Sequence, residues 1–319
     1  MRTAIREQGY DVVFGASDSD VLALSSHRDG LQASVPHPPH ERLLRAVDKV
    51  ELASAAGRAG IETPQTLDGQ ASDRDVVVKP RIYQAIPHEP MVFSHSHEAA
   101  YRVAELAELG VEAIVQERVH GHLMAYSVVA DGDSRVIARV QQEARAIWPP
   151  DAGTSARAET VPIDEVLAAK VSRLVEELGW VGLVELQFVV PEDGRAVLID
   201  FNGRFYGSLA LAVAAGVNLP AIWASVAIGR PVAPSGEASI GVRYQWEEGD
   251  LRRARVERRG GLARDLAGSL CYFPGAAHGL WQASDPMPAL RTLRSVLSGS
   301  LGFRVREAAR KLRPARSFG

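Results

Sequence analysis

Three features of the 319-residue chain predict an α+β fold. Strand-like and helix-like stretches are mixed, without the regular βαβ alternation of a doubly wound sheet. Residues 126–140 and 183–202 read as β-hairpins turning at Asp131-Gly132-Asp133 and at Pro191-Glu192-Asp193-Gly194. Three amphipathic helical patterns stop on Gly60, Gly110 and Gly179, the residue type that most often closes a helix.

In chain order, Asp11–Phe14 reads as a strand, followed by a helix to about Leu24. Pro36, Pro38 and Pro39 mark a linker. A single helix is expected from Glu41 to Ala59, then a short buried strand over Asp75–Pro80 that ends in Lys79 and a proline. Ser96–Leu109 is an amphipathic helix and Val111–Val119 a strand. Gln141–Val161, rich in Pro, Gly, Thr and Arg, reads as a polar loop. Asp164–Leu178 is a strong helix, and 207–229 a helical pair. The remainder alternates short strands and helices, and no solenoid repeat is present.

Composition narrows the class. With 46% hydrophobic, 24% charged and 6% aromatic residues, the chain has ample material for a core. Cys271 stands alone, which excludes an internal disulfide and a cysteine-rich metal site, so a cytoplasmic location is expected. Residues 1–10 carry charges where a secretory signal would be apolar. The apolar run Leu209–Gly229 is broken by Gly216, Asn218 and Pro220, so a buried helix–turn–helix is expected rather than a membrane span. The net charge of −3 hides an asymmetry: residues 251–319 hold 14 Lys+Arg against 4 Asp+Glu. That basic region reads either as a solvated surface packed on an acidic body or as a face for nucleic acid. No aromatic residues interleave its arginines in a stacking pattern, so a nucleic-acid partner is not expected.

The hairpin at 183–202 carries the chemistry. Side chains alternate faces along a strand, so Glu185 and Gln187 share one face, as do Asp200 and Asn202. A closing pair Val190/Arg195 or Pro191/Ala196 puts all four on the same side. Val184, Leu186, Phe188, Ile199 and Phe201 then form the apolar face. Two readings are open here: a sheet with one solvated face, or a hard-oxygen site suited to Mg²⁺. Arg204, just beyond, is suited to a transferring phosphoryl group.

The order of motifs resembles the ATP-grasp ligases, the group of biotin carboxylase, carbamoyl phosphate synthetase and D-alanine–D-alanine ligase. The resemblance runs from Asp48-Lys49 through Gly60-Ile61-Glu62-Thr63-Pro64 and Val76-Val77-Val78-Lys79-Pro80. It continues with Val115-Gln116-Glu117-Arg118-Val119-His120-Gly121, Gly153-Thr154-Ser155 and Glu185-Leu186-Gln187-Phe188. It closes on Ile199-Asp200-Phe201-Asn202-Gly203-Arg204 and Phe205-Tyr206-Gly207-Ser208. The resemblance implies two α+β lobes gripping ATP. Lys49 and Lys79 would contact its phosphates, and Gln116, Glu117, Arg118 and Val119 its adenine. Gln187, Asp200 and Asn202, with Glu185, would hold one or two Mg²⁺ ions, or Mn²⁺. Lys79 and Arg204 would be catalytic, and Ser155, Arg157, Arg204 and Ser208 would meet substrate. The implied reaction is ATP-dependent activation of a carboxylate as an acylphosphate, then attack by an amine, in a carboxylate–amine ligase acting on small molecules, as a possible homodimer. Its alternative is a nucleotide-binding protein without ligase turnover.

The implied division is an N-terminal remnant at 1–40, a helical linker at 41–74, a lid at 75–140, a catalytic subdomain at 141–240 and an accessory region at 241–319. Four departures from the family pattern stand out. Residues 81–90 contain no glycine where a glycine-rich lid loop is usual. Gln187 is neutral and Asp200 is one methylene shorter than the usual Glu, which puts a second metal in doubt. No carboxylate follows the hinge to meet a ribose. Finally, 1–40 looks like the last strand and helix of a truncated α/β domain, and additional coding sequence upstream is expected. His120 and His122 flank Gly121 but lack a third ligand, so they read as loop residues.

Overall fold

The computed structural model describes residues 2–67, 75–82, 91–94, 96–150, 152–232 and 236–298. Two helices open the chain, α1 (Arg2–Gln8) and α2 (Asp18–Ser26). Ser17 caps α2 through a reciprocal capping box with Asp20. The expected strand at 11–14 is reduced to one bridge, Val12 with Ser34. Phe14 explains the difference: it packs into an aromatic cluster with Phe205 and Trp223.

The helical pattern at 41–59 forms two helices, α3 (His40–Val47) and α4 (Lys49–Ala59). Asp48 breaks them apart. Its backbone leaves the helical region, and its Oδ1 accepts from the N–H groups of Val50 (2.9 Å) and Glu51 (3.3 Å). The cap directs the first residue of α4, Lys49, toward the cleft described below.

A small antiparallel sheet follows, built from β1 (Val76–Pro80), β2 (Met91–Phe93) and β3 (Ala113–Glu117) in the order β2-β1-β3. Helix α5 (Ser96–Glu108) covers one face. Period-2 alternation buries Val76 and Val78 against Ala99, Leu106 and Val111, and turns Val77 and Lys79 to the other side.

The chain crosses to a larger sheet at Gly121, where a Cβ would lie 2.3 Å from the Val190 carbonyl oxygen. That approach requires glycine. The larger sheet comprises β4 (His122–Ala130), β5 (Val136–Trp148), β6 (Thr154–Thr160), β7 (Gly182–Val190) and β8 (Val197–Asn202). Helix α6 (Glu165–Leu178), capped by Asp164, packs with α3 and α4 on one face. Leu167, Val171, Leu174, Val175 and Leu178 bury there against Val184, Leu186 and Phe188 of β7. On the other face sit α7 (Leu209–Ala214) and α8 (Leu219–Ala227), whose fully buried Trp223 covers Leu183. They leave the far half of β7 open.

The reading of 141–161 is corrected. Residues 141–161 are not a loop; β5 runs to Trp148 and β6 begins at Thr154. Their polar residues alternate with buried alanines, and Arg145 bridges Glu143 (3.0 Å) and Glu159 (3.1 Å) across the strands. The small sheet ends at Glu117, and residue 140 lies inside β5.

The C-terminal residues continue the large sheet. Strand β9 (Arg243–Gln245) pairs with β6, helices α9 (Glu247–Glu257) and α10 (Leu262–Tyr272) follow, and β10 (Ala276–His278) adds the edge strand before α11 (Met287–Ser298). Part of the basic surplus is absorbed there: buried Arg253 pairs with Asp250, Glu257 and Asp265. The end of the basic region, 299–319, and the glycine-free stretch at 83–90 lie outside the described residues. No helix among the described residues is long and apolar enough to cross a membrane.

Asp48 also accepts Arg81 Nε at 2.9 Å, tying α4 to the end of β1. Burial opposes its ionisation, but the hydrogen bonds from Arg81, Val50 and Glu51 outweigh burial and hold the carboxyl below its ordinary value. Asp48→Ala is expected to cost about 1–2 kcal/mol in urea unfolding near neutral pH. Because the folded pKa is lowered, this contribution is present above the ordinary value of 3.8 and is lost as pH falls through the lower folded value. The gap between wild type and variant therefore narrows in acid; a gap independent of pH would disprove the assignment.

Candidate active site

A cleft of about 510 Å³ lies between the two sheets. Val77 and Lys79 of the small sheet, the crossing at 116–121, Lys49 and the open half of β7–β8 line it. Glu185 stands opposite Asn202 and Gln187 opposite Asp200, so all four polar side chains face one way, as their alternation predicts.

The register then slips. Phe188 pairs with Leu198, leaving Ile199 as the extra residue of a β-bulge. Leu198 enters the core, and Ile199, expected on the apolar face, lines the cleft instead. Its carbonyl accepts a hydrogen bond from Lys79 Nζ at 2.9 Å.

Electrostatics tie these groups together. Glu185 is buried, and its Oε2 accepts from Gln187 Nε2 and Asn202 Nδ2, each at 3.1 Å. Burial pushes its carboxyl up to about 7 against those hydrogen bonds and the nearby Arg204 charge. Asp200 binds Lys49 Nζ at 2.8 Å. Burial would raise its pKa, but the charges of Lys49 and Lys79 prevail and lower it. Lys79, itself buried, is brought down to about 7 by desolvation and by Lys49, against the pull of Asp200.

Arg204 Nη2 donates to Asn202 Oδ1 (3.0 Å) and Nη1 to the Phe205 carbonyl (3.0 Å). Its Nε donates to Asp18 Oδ2 at 2.9 Å. Asp18 also lines the cleft and was not among the expected site residues. The sequence signal there, a serine cap before an apolar run, marks only a helix start.

The other expected residues divide. Gln116, Glu117, Arg118 and Val119 line one wall. Two of their side chains are engaged within the fold, Glu117 Oε1 accepting from the Gln65 N–H (3.1 Å) and Arg118 Nη1 donating to Asp75 (3.2 Å). Ser155 and Ser208 line the cleft, and Ser208 Oγ accepts from Gln142 Nε2 at 2.7 Å. Gly153 holds the turn ahead of Ser155, where a Cβ would sit 2.1 Å from the Trp148 carbonyl carbon.

Arg157 is not brought to the cleft. It follows Ser155 on the same face of β6, where α9 and α10 cover the strand, and it donates to Asp250 Oδ2 (2.8 Å) and Ser269 Oγ (3.0 Å). His120 and His122 approach different carboxylates, Asp75 (3.9 Å) and Glu143 (3.8 Å).

The donor chemistry fits a hard divalent cation. Among the described residues no three His, Cys, Asp or Glu cluster as a metal site. Two carboxylates and two amides sharing one face suit an ion that keeps waters and phosphate oxygens as ligands. The Lys49 ammonium on Asp200 stands where positive charge is called for.

A family described as "ATP-grasp in the biosynthetic pathway with Ter operon" matches residues 110–250. The chain has the ATP-grasp fold. The biotin carboxylase domain of Hydrogenobacter thermophilus 2-oxoglutarate carboxylase, in complex with MgADP, ADP and bicarbonate, has a similar structure (TM-score 0.60, 14% identity, 76% of this chain and 59% of that one). So do the L-amino acid ligase of Bacillus licheniformis (0.55, 15%, 71% and 58%) and the N5-carboxyaminoimidazole synthetase of Staphylococcus aureus complexed with ADP (0.55, 11%, 76% and 66%). The chain thus spans about three-fifths of the first of these, 59% of its length. No curated protein matches it.

The Lys79 titration tests the electrostatics directly. Its ¹³Cε signal, assigned by its disappearance in Lys79→Arg, should titrate at about 7. Removing the attraction of Asp200 (Asp200→Asn) should lower that midpoint, and removing the repulsion of Lys49 (Lys49→Met) should raise it. Opposite shifts would refute the arrangement.

Proposed function

We propose that the protein is an ATP-dependent ligase that activates a small carboxylic acid as an acylphosphate for attack by an amine. The observation that carries this reading is the convergence of Lys49, Lys79 and Arg204 with a four-oxygen face in one cleft between two sheets. Solved structures of like fold include a carboxylase domain in complex with MgADP and an L-amino acid ligase, which supports it.

In this reading Lys49 and Lys79 bind the phosphates, and residues 116–119 hold the adenine. Glu185, Gln187, Asp200 and Asn202 would hold Mg²⁺, with Mn²⁺ as a substitute. When bound, the metal would neutralise phosphate charge and orient the β- and γ-phosphates. A carboxylate oxygen of the substrate attacks the γ-phosphorus, and the bond to the ADP oxygen breaks. Arg204, with free N–H groups directed by its contacts to Asn202 and Phe205, pairs with the acylphosphate. The amine then attacks the acyl carbon; the bond to phosphate breaks, and the departing phosphate takes up the proton that the nitrogen loses. Ser155 and Ser208 border the acyl group. Nothing here calls for a strong protein base. The protein supplies position and charge, the larger part of catalysis in phosphoryl transfer. The lone, exposed Cys271 favours a reducing, cytoplasmic setting.

The test is a panel of carboxylates and amines with Mg-ATP. ADP release should require both an acid and an amine, and ¹⁸O from a labelled carboxylate should appear in the phosphate. Asp200→Asn should lower ADP release by about 100-fold or more. ATP binding with no ADP from any mixture would overturn the ligase reading in favour of a nucleotide-binding protein without turnover.

A further inference from the structure

We propose that Asp18 is a positioning residue for Arg204, and that the segment before α3 is thereby a working part of the cleft. The proposal rests on the ligase reading for its kinetic consequence, though not for its geometry.

Asp18 and Arg204 are 186 positions apart, yet their side chains meet at 2.9 Å and are only 14% and 24% exposed. Both line the cleft. Of the three partners that hold the guanidinium, Asp18 is the one that carries charge; the others are the Asn202 amide oxygen and the Phe205 carbonyl. A charge-assisted hydrogen bond is the stronger restraint. Each partner takes a different nitrogen. With five N–H groups on the side chain, one donor on each terminal nitrogen stays free for a ligand. Asp18 takes Nε and leaves both of those donors open. It therefore orients the guanidinium without occupying its ligand-facing end.

Asp18 is itself held on both sides. Before it, Phe14 packs on Phe205 (ring centroids 5.4 Å apart) and edge-on to Trp223 (4.6 Å). Gly15 lies so close to α2 that a Cβ would stand 2.8 Å from the Val21 backbone nitrogen. The Ser17 capping box fixes the first turn of α2, where Asp18 sits. Beyond the helix, Trp223 Nε1 donates to the Pro36 carbonyl at 2.8 Å, and His37 packs edge-on to Trp223 at 5.1 Å. Trp223 thus grips the segment on both sides of Asp18, and Phe205, next to Arg204, packs edge-on to the same tryptophan (5.2 Å). The carboxylate is delivered to Arg204 by a packed wall rather than by a free loop.

The test compares Asp18→Asn and Asp18→Glu with wild type. Asp18→Asn should lower kcat by about 10- to 100-fold, the scale of a misplaced catalytic group. KM for ATP and the affinity for MgADP should be unchanged, and Asp18→Glu should recover part of kcat. A rise in turnover or a lower KM for the carboxylate in Asp18→Asn would show that Asp18 masks Arg204 instead, and would overturn the proposal. Unchanged kcat would overturn it equally. The ¹⁵N–¹H signal of Arg204 Nε, assigned by its loss in Arg204→Lys, should shift in Asp18→Asn and largely return in Asp18→Glu. An unmoved signal overturns the proposal whether or not the wild type turns over. Absence of turnover in the wild type, with the signal responding as expected, defeats the ligase reading alone.

Discussion

Between Gln187 and Phe188 the pairing of β7 with β8 slips by one residue, and much of the cleft depends on that slip. Leu198, Asp200 and Asn202 are two residues apart and would share a face in a regular strand. A regular β8 would therefore place Leu198 in the cleft or both polar residues in the core. The bulge at Ile199 resolves the conflict: Leu198 packs into the core with Phe201, and Asp200 and Asn202 face the cleft opposite Gln187 and Glu185. It also leaves Ile199 without a partner on β7, and the Ile199 carbonyl receives the buried ammonium of Lys79. One extra residue thus sets both the polar face and a contact between the sheets.

Charge is distributed so that the carboxylates and the cations of the cleft come from different elements. The large sheet brings the carboxylates of Glu185 and Asp200. The cations come from elsewhere: Lys49 from the start of α4, Lys79 from β1 and Arg204 from the turn after β8. Lys49 neutralises Asp200, and the amides of Gln187 and Asn202 meet the buried Glu185. A phosphate and a divalent cation entering together would let the lysines exchange a carboxylate and a carbonyl for phosphate oxygens, while the carboxylates exchange ammonium and amide for metal. Both exchanges keep the charge balance of the cleft, so ligand binding need not strand a buried charge, the costly outcome in a low-dielectric site.

How far the sequence reveals this depends on whether a feature is local. The polar faces of the two hairpin strands follow from period-2 alternation, and helix ends follow from Asp164 and the glycines, so these were legible. The slip at Ile199 was not, because the choice between Leu198 and Ile199 for the core is made by α4 and α6 packing against the sheet. Residues 141–161 read as a loop because they are polar and rich in Pro, Gly, Thr and Arg. Only cross-strand ion pairing and cover from α9 and α10 make strands of them. The same cover removes Arg157 from the cleft. The break at Asp48 was hidden inside an unbroken helical pattern, since an Asp within a helix and an Asp capping the next one differ only in backbone angles.

The N-terminal segment shows what a short stretch needs in order to be ordered without a sheet of its own. Its backbone pairs through a single bridge, too little for an independent unit. Its order comes from contacts gathered at Trp223: the Phe14 ring on one side, the Pro36 carbonyl and the His37 ring on the other. Burial lowers the His37 pKa to about 4, so the ring is neutral at physiological pH and packs as an aromatic rather than as a charge. Trp223 belongs to α8, which covers the face of β4 and β7 next to Glu185. The helix that seals one end of the polar face is therefore also the anchor for the segment that orients Arg204. A change in how α8 packs would reach the cleft by two routes, through the sheet beneath it and through Asp18, and this joins the site to the N-terminal segment without any continuous strand between them.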